Sequence, residues 1–377
     1  MTTLGVRQIP LLDLKAQHRQ IREEVLAEIV RVVDSQKFIL GEDVQKLEAE
    51  IAAYCGTKHA IGCASGSDAL SLALMALEIR PGDEVLTTPY TFFATAGEIS
   101  RLGANPVFVD VEEETFNLDA SQMADALAAH PKIRAVIPIH LFGGCANMDP
   151  ICAIAAERGI AVIEDAAQSV GSEYKNRRAG SMGELGAFSF YPTKNLGGYG
   201  DGGMISTNNE ALAGRLKALR VHGRTRAYFH EWIGVNSRLD ALQAAVLRVK
   251  FRHLDAWTEG RQGHAARYRA RLASLAAPVI PAEPTVYQTR HVYNQFVIRA
   301  PRRDALRAHL KKQGIGSEIY YPLPLHMQPC YADLGYKQGD FPVSEKLASE
   351  SLALPVHAEI AAEDIDYVCD AIGDFYA

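Results

Sequence analysis

The chain has 377 residues, of which 48% are hydrophobic and 22% charged. At about 150 residues per domain, two domains are expected, with ample length to bury a large core. The net charge of −6 argues against a general nucleic-acid binder, which needs a basic stripe. The partners expected for such a chain are small molecules or other subunits. No run approaches the roughly 18–20 apolar residues that span a bilayer. The first two dozen residues show no apolar h-region and no small-residue cleavage site, so a cytoplasmic location is expected. Cys55, Cys63, Cys145, Cys152, Cys330 and Cys369 are scattered, with no C-x-x-C pair, and read as free thiols.

In chain order, apolar residues at helical spacing (Ile21, Val25, Ile29, Val32, Val33) predict an amphipathic helix over 15–33. A second helix is expected over 43–54. Short apolar runs then alternate with helical stretches. The strand-like runs are 84–88, 105–110, 133–140, 159–165, 186–192 and 202–207. The helical ones between them are 67–78, 94–103, 121–130 and 148–159. Strands bounded by Gly, Pro and Asp and alternating with helices imply βαβ units and a mostly parallel sheet. Strands in such a sheet are buried on both faces, which explains their continuous apolar runs. A long helical pattern covers 238–275 with interruptions, and Pro278, Pro281 and Pro284 end it. A strand over 291–300, a helix over 303–314, a strand over 315–320 and a helix over 363–375 complete the chain. The expected organisation is a large α/β domain over 1–255 and a smaller α+β domain over 256–377.

Ligands of open α/β sheets bind at the carboxyl ends of the strands, so the polar residues there are the candidates. Asp165 ends IAVIED, and Gln168 follows. A carboxylate there is costly to bury without a cation; the plainer reading is a helix N-cap. Lys194 sits between an apolar strand and a glycine-rich loop, in GAFSFYPTKNLGGYGDGG. It reads either as an exposed loop lysine or as a Schiff-base lysine, whose amine must be partly neutral. The G-x-G-x-x-G within that loop precedes a strand-like MIST rather than a helix, so it is a turn and no dinucleotide fingerprint. ASGSD opens a predicted helix, where backbone N–H groups, hydroxyls and the helix dipole favour an anion; Ser67 can equally be a plain N-cap. PYTFF (89–93) offers an aromatic face, or core packing. Taken together, the lysine, the carboxylate, the anion cup and the aromatic suit a phosphorylated pyridine aldehyde, whose protonated ring acts as an electron sink.

Five ordered segments carry a resemblance: ASGSDAL (64–70), VIEDAAQSVG (162–171), SFYPTKNLGGYGDGG (189–203), GVNSRLDALQAA (234–245) and YPLPLHMQP (321–329). With them the chain resembles the DegT/DnrJ/StrS family of pyridoxal-phosphate aminotransferases, which act on nucleotide-linked keto-sugars. The resemblance runs nearly end to end and implies the aspartate-aminotransferase fold, fold type I, with a mostly parallel seven-stranded sheet. It implies that Lys194 bonds the cofactor and shuttles protons. Asp165 would pair with the pyridine nitrogen, Gln168 would lie near the phenolic oxygen, and Phe92 would stack on the ring. Gly66, Ser67 and Ser189 would hold the phosphate, joined by Asn236 from the partner subunit of a homodimer. Arg238 would reach substrate carboxylates. Phe38, Thr193, Tyr320, Tyr321 and His326 would face the sugar or its diphosphate; His326 can equally be structural. L-glutamate would be the amino donor, pyridoxamine phosphate the intermediate cofactor form, and C3 rather than C4 the aminated carbon. The sequence leaves three rivals: a dehydratase of the same fold, in which histidine replaces Lys194; a cofactor-binding regulatory protein; and a nicotinamide-dependent oxidoreductase.

Overall fold

The computed structural model describes residues 7–377. Helices α1 (Leu14–Ser35) and α2 (Glu42–Cys55) come first, then β1 (His59–Cys63) and α3 (Gly66–Ala76). Strand β2 (Glu84–Thr87), α4 (Ala94–Arg101), β3 (Asn105–Phe108), α5 (Met123–Ala129), β4 (Ile133–Val136), α6 (Met148–Arg158) and β5 (Ala161–Asp165) continue the alternation. A two-residue hairpin, β6 (Glu173–Tyr174) and β7 (Arg177–Arg178), precedes β8 (Leu185–Ser189), β9 (Gly203–Thr207) and α7 (Glu210–Leu219).

The seven main strands form one sheet in the order β1-β9-β8-β5-β4-β2-β3. β9 runs antiparallel to both its neighbours and the other contacts are parallel. Successive residues of each strand enter opposite cores, as the pleat requires. Val85, Ala135, Ile163, Ala187 and Ile205 pack against α3, α4 and α7. Leu86, Val136, Val162, Phe188 and Met204 pack against the other face, with residues of α2, α6 and α8 (Ala241–Phe251). The fold is therefore a three-layer α/β sandwich, as expected. β1 was not expected, because HAIGC is short and holds a glycine; its pairing with β9 decides it.

The expected helix over 238–275 is two helices, α8 and α9 (Leu254–Ala273), separated at Arg252 and His253. A hairpin, β10 (Arg224–Arg226) and β11 (Phe229–His230), precedes α8, and the antiparallel sheet of β12 (Ile280–Pro281), β13 (Phe296–Arg299) and β14 (Ser351–Leu354) follows α9. With α10 (Arg303–Lys312) and α12 (Ala362–Tyr376) this region builds a second core of Tyr268, Phe296, Ile298, Leu306, Leu310, Leu352, Leu354, Ile365 and Ile372, while Leu347 and Ala348 of α11 (Pro342–Glu350) pack with Tyr90 and Phe116. Ile9, from the other end of the chain, packs into the second core. The strand expected over 315–320 is a correction: only single bridges form there, Ile315 with Ile9 and Glu318 with Ala353. The strand that pairs is SLAL, too short to show a period of two.

Two carboxylates at strand ends fasten the layers. Asp110 accepts the backbone N–H groups of Val343 and Ser344 at 2.8 and 2.9 Å and so holds the start of α11. Glu164, fully buried, accepts the N–H groups of Gly180, Met182 and Gly183 at 2.6–2.7 Å. His140 Nδ1 accepts from Ala146 N–H, so its Nε2 carries the hydrogen donated to Glu164 at 2.8 Å. Glu164→Ala strands four donors, those of His140 and Gly180 buried and those of Met182 and Gly183 half-buried, and should cost about 3–5 kcal/mol. Urea unfolding should show a lower midpoint with an unchanged slope.

Candidate active site

A cleft of about 690 Å³ opens at the carboxyl ends of the strands and under the 318–321 segment. Its walls come from segments far apart in the sequence. Ser65, Gly66 and Ser67 open α3, and Phe92 follows β2. Asp165 and Gln168 end β5; Ser189, Thr193 and Lys194 follow β8.

The N-cap of α3 is Ser65, whose Oγ accepts the Asp68 N–H at 3.0 Å. Ser67 is thus freed from the capping role and stands in the first turn, where unpaired N–H groups favour an anion. Gly66 lies so close to Ser189 that a Cβ on it would meet the Ser189 Cβ at 2.6 Å. The missing side chain is what lets the helix start and Ser189 form one corner. Phe92 is 58% exposed, although large aromatics are usually buried; its ring tilts against that of Tyr321 at 6.2 Å.

Asp165 is buried and accepts Thr95 Oγ1–H at 2.8 Å and the Ala167 N–H at 3.2 Å. Burial pushes its pKa up, opposed by those two hydrogen bonds and by the charge of Lys194. Burial pushes the Lys194 amine down to about 8, opposed by Asp165. Among the described residues the amine makes no hydrogen bond. Gln168 Oε1 accepts the Phe142 N–H at 2.6 Å, and its amide donates to Tyr321 Oη at 3.3 Å. Tyr90 fixes the tyrosine pair by donating to the Tyr320 carbonyl at 2.6 Å. A lysine amine held near neutrality, facing a buried carboxylate across one cleft, is the arrangement a carbonyl cofactor with a basic ring nitrogen requires.

The model of the DegT/DnrJ/EryC1/StrS aminotransferase family matches residues 19–373. The chain belongs to this family. It is 50% identical over 368 residues to a pleiotropic regulatory protein of Geobacillus stearothermophilus, covering 98% of each chain. It is 43% identical over 364 residues to the UDP-N-acetyl-3-dehydro-alpha-D-glucosamine 3-aminotransferase of Acidithiobacillus ferrooxidans, covering 97% of each. The crystal structure of S. venezuelae DesV in complex with a ketimine intermediate superposes with a TM-score of 0.94, at 42% identity and 98% coverage of both chains. The fold is that of fold type I aminotransferases, and the family cofactor is pyridoxal 5′-phosphate.

The residues present fit that cofactor. Asp165 has a buried carboxylate for a protonated ring nitrogen, and Lys194 has a free amine for an aldehyde. The corner of Gly66, Ser67 and Ser189 offers N–H and hydroxyl donors to a phosphate, and Phe92 offers an uncovered ring. Thr193, Tyr320 and Tyr321 line the same cleft. Four expected residues are not among those lining it. Asn236 is exposed, in the loop preceding α8, and Arg238 is half-buried there. Phe38 packs against Val32, Ala241 and Ala245. His326 is buried beside Phe341, with Nε2 3.2 Å from Glu345 Oε1. Residues missed by sequence reasoning include Thr95, Asp201, Gln295 and Glu318. Thr95 lies four residues after Thr91, with their hydroxyls 3.0 Å apart, a helical spacing that signals contact but not its target.

The electrostatics predict a pH dependence for cofactor capture. The Lys194 amine is neutral, hence nucleophilic, above about 8, whereas an ordinary lysine becomes so near 10.5. The rate at which cofactor-free protein develops the near-visible band with added pyridoxal phosphate should rise through about pH 8. Asp165 raises that value, so Asp165→Asn should move the midpoint lower.

Proposed function

We propose that this protein is a cytoplasmic aminotransferase that moves the amino group of L-glutamate to the C3 ketone of a UDP- or dTDP-linked sugar. The observation that carries the reading is the Lys194 amine, depressed to about 8 and opposite Asp165. The UDP-linked 3-aminotransferase relative supports the substrate class and the carbon. A histidine-dependent dehydratase is opposed by Lys194 itself.

Pyridoxal phosphate, when bound, supplies an aldehyde carbon for the amino group and a ring that draws electrons from the reacting carbon. The protein does the rest. Asp165 holds a proton at the ring nitrogen. Gln168, oriented by Phe142 and Tyr321, donates from its amide beside the ring. Lys194 Nζ would take the proton from the α-carbon of the amino acid and deliver it to the carbon that the cofactor's aldehyde supplies, then repeat the transfer in reverse for the sugar. Tyr320, Tyr321 and Thr193 form the wall against which the sugar lies.

The active site is shared between two copies. Among the described residues lining the cleft, Asp165, Asp201 and Glu318 are acidic and Lys194 is the one basic side chain. Glutamate and a nucleoside diphosphate are anions and need more positive charge than that. The loop carrying Asn236 and Arg238 stands beside exposed Tyr228, Phe229 and Ile233, an apolar surface suited to burial against a second copy. From there Asn236 reaches the partner's phosphate corner and Arg238 its substrate carboxylates.

Two experiments test the proposal. Adding L-glutamate to the yellow protein should move the near-visible band into the near ultraviolet and release 2-oxoglutarate. Lys194→Ala should abolish both while circular dichroism stays native. A Lys194→Ala variant that keeps turnover refutes the role of Lys194, and a protein that binds the cofactor without answering glutamate is a regulator. In mixed dimers with Lys194→Ala on one chain and Asn236→Ala on the other, one site should carry both defects and its twin neither. One site with only the lysine defect and the other with only the asparagine defect, leaving no intact site, would refute sharing.

A further inference from the structure

Lys250 is a buried lysine that the chemistry above does not use. It lies near the end of α8, 3% exposed. Its Nζ donates to the carbonyl of Gly197 at 2.6 Å, three residues beyond Lys194. The same helix takes a second hold: Gln243 Oε1 accepts the Tyr199 N–H at 2.8 Å. Gly197 is itself pressed into place, since a Cβ there would meet the Pro192 carbonyl oxygen at 2.4 Å. Gly198 N–H closes the loop onto the Phe190 carbonyl at 2.8 Å. On the other side Asn195 donates to the Val170 carbonyl at 3.1 Å. The Lys250 amine also lies 5.5 Å over the Tyr199 ring.

A buried lysine is an expensive way to hold a carbonyl, and an apolar residue would pack the helix as well. We propose that Lys250 is a positioning residue for Lys194: its hydrogen bond to Gly197 ties the 194–199 loop to α8 and keeps the Lys194 amine at its buried position facing Asp165. The proposal rests on the reading of Lys194 as the cofactor lysine. Burial lowers the Lys250 amine to about 8, with Glu359 opposing. Charged or neutral, the amine keeps an N–H for Gly197, so the tie persists on both sides of that pH.

The test is the pH profile of pyridoxal phosphate capture by cofactor-free protein, read as the near-visible band, together with glutamate kinetics of the holoenzyme. In the wild type the midpoint lies near 8. In Lys250→Met the loop loosens, water reaches the Lys194 amine, and the midpoint should move up toward 10.5, the ordinary lysine value. kcat should fall roughly ten- to a hundredfold while KM for L-glutamate stays put, because the misplaced group acts after binding. Lys250→Arg, which keeps a donor for Gly197, should restore the midpoint. A wild-type midpoint and kcat in Lys250→Met overturn the proposal, whatever the variant's stability. If Lys250→Met does not fold, Gln243→Leu releases the Tyr199 end of the same loop and should shift the midpoint the same way; an unshifted midpoint there overturns the proposal. A band with the wild-type midpoint in Lys194→Ala would instead refute the assignment of Lys194, and this proposal with it.

Discussion

Two opposite charges share one half-dry cleft, and the rest of the molecule is arranged around that constraint. Asp165 alone would be driven toward its neutral acid by burial, and Lys194 alone toward its neutral amine. Each moderates the other without touching it, and the space between them is where a ring with a basic nitrogen and an aldehyde belongs. The sheet sets that spacing. β5 and β8 are parallel neighbours, with Asp165 beside Ala187. The strand end that carries the carboxylate and the loop that carries the lysine therefore leave the sheet on the same side, as in other open α/β sheets.

Rigidity in the site comes from close backbone approach more than from large side chains. Gly66 against Ser189 and Gly203 against the Ser65 carbonyl leave no room for a Cβ. They bring the start of α3, the end of β8 and the start of β9 to one corner. The reversed strand β9 matters here, because it returns the chain from the glycine loop directly beside β8. Beneath the cleft, Glu164 and His140, both fully buried, hold the 180–183 turn, so the strand that ends in Asp165 is anchored one residue before its functional end.

The second core supplies the roof. Tyr90 reaches from the end of β2 to the Tyr320 carbonyl and to Ser351, and Asp110 holds α11. Tyr320 and Tyr321 are thus placed over the cleft by contacts from both cores. Among the described residues lining it the cleft is nonetheless acidic, with Asp165, Asp201 and Glu318 against Lys194 alone, and on that imbalance rests the proposal that a second copy contributes.

Local sequence determined much of this protein. The main alternating helices and strands of 67–207 follow from apolar runs and their punctuation. Because Asp165, Gln168 and Lys194 follow the ends of such runs, the pattern alone puts all three on one side of a sheet. The five motifs identify the family and so the cofactor. What the tertiary structure decided is whatever depends on residues distant in sequence. β1 and β14 are strands because β9 and β13 lie beside them, while 315–320, which reads as a strand, has neighbours for single bridges only. Ser65 rather than Ser67 caps α3, because the chain turns two residues earlier than composition indicates. His326 faces Glu345 and the aromatic cluster around Phe341, and no periodicity encodes that direction. Thr95 and Lys250 have ordinary sequence surroundings; their partners, Asp165 and Gly197, lie 70 and 53 residues away. A hydrogen bond across that distance leaves no local pattern, since the chain between its ends is free to carry any other structure.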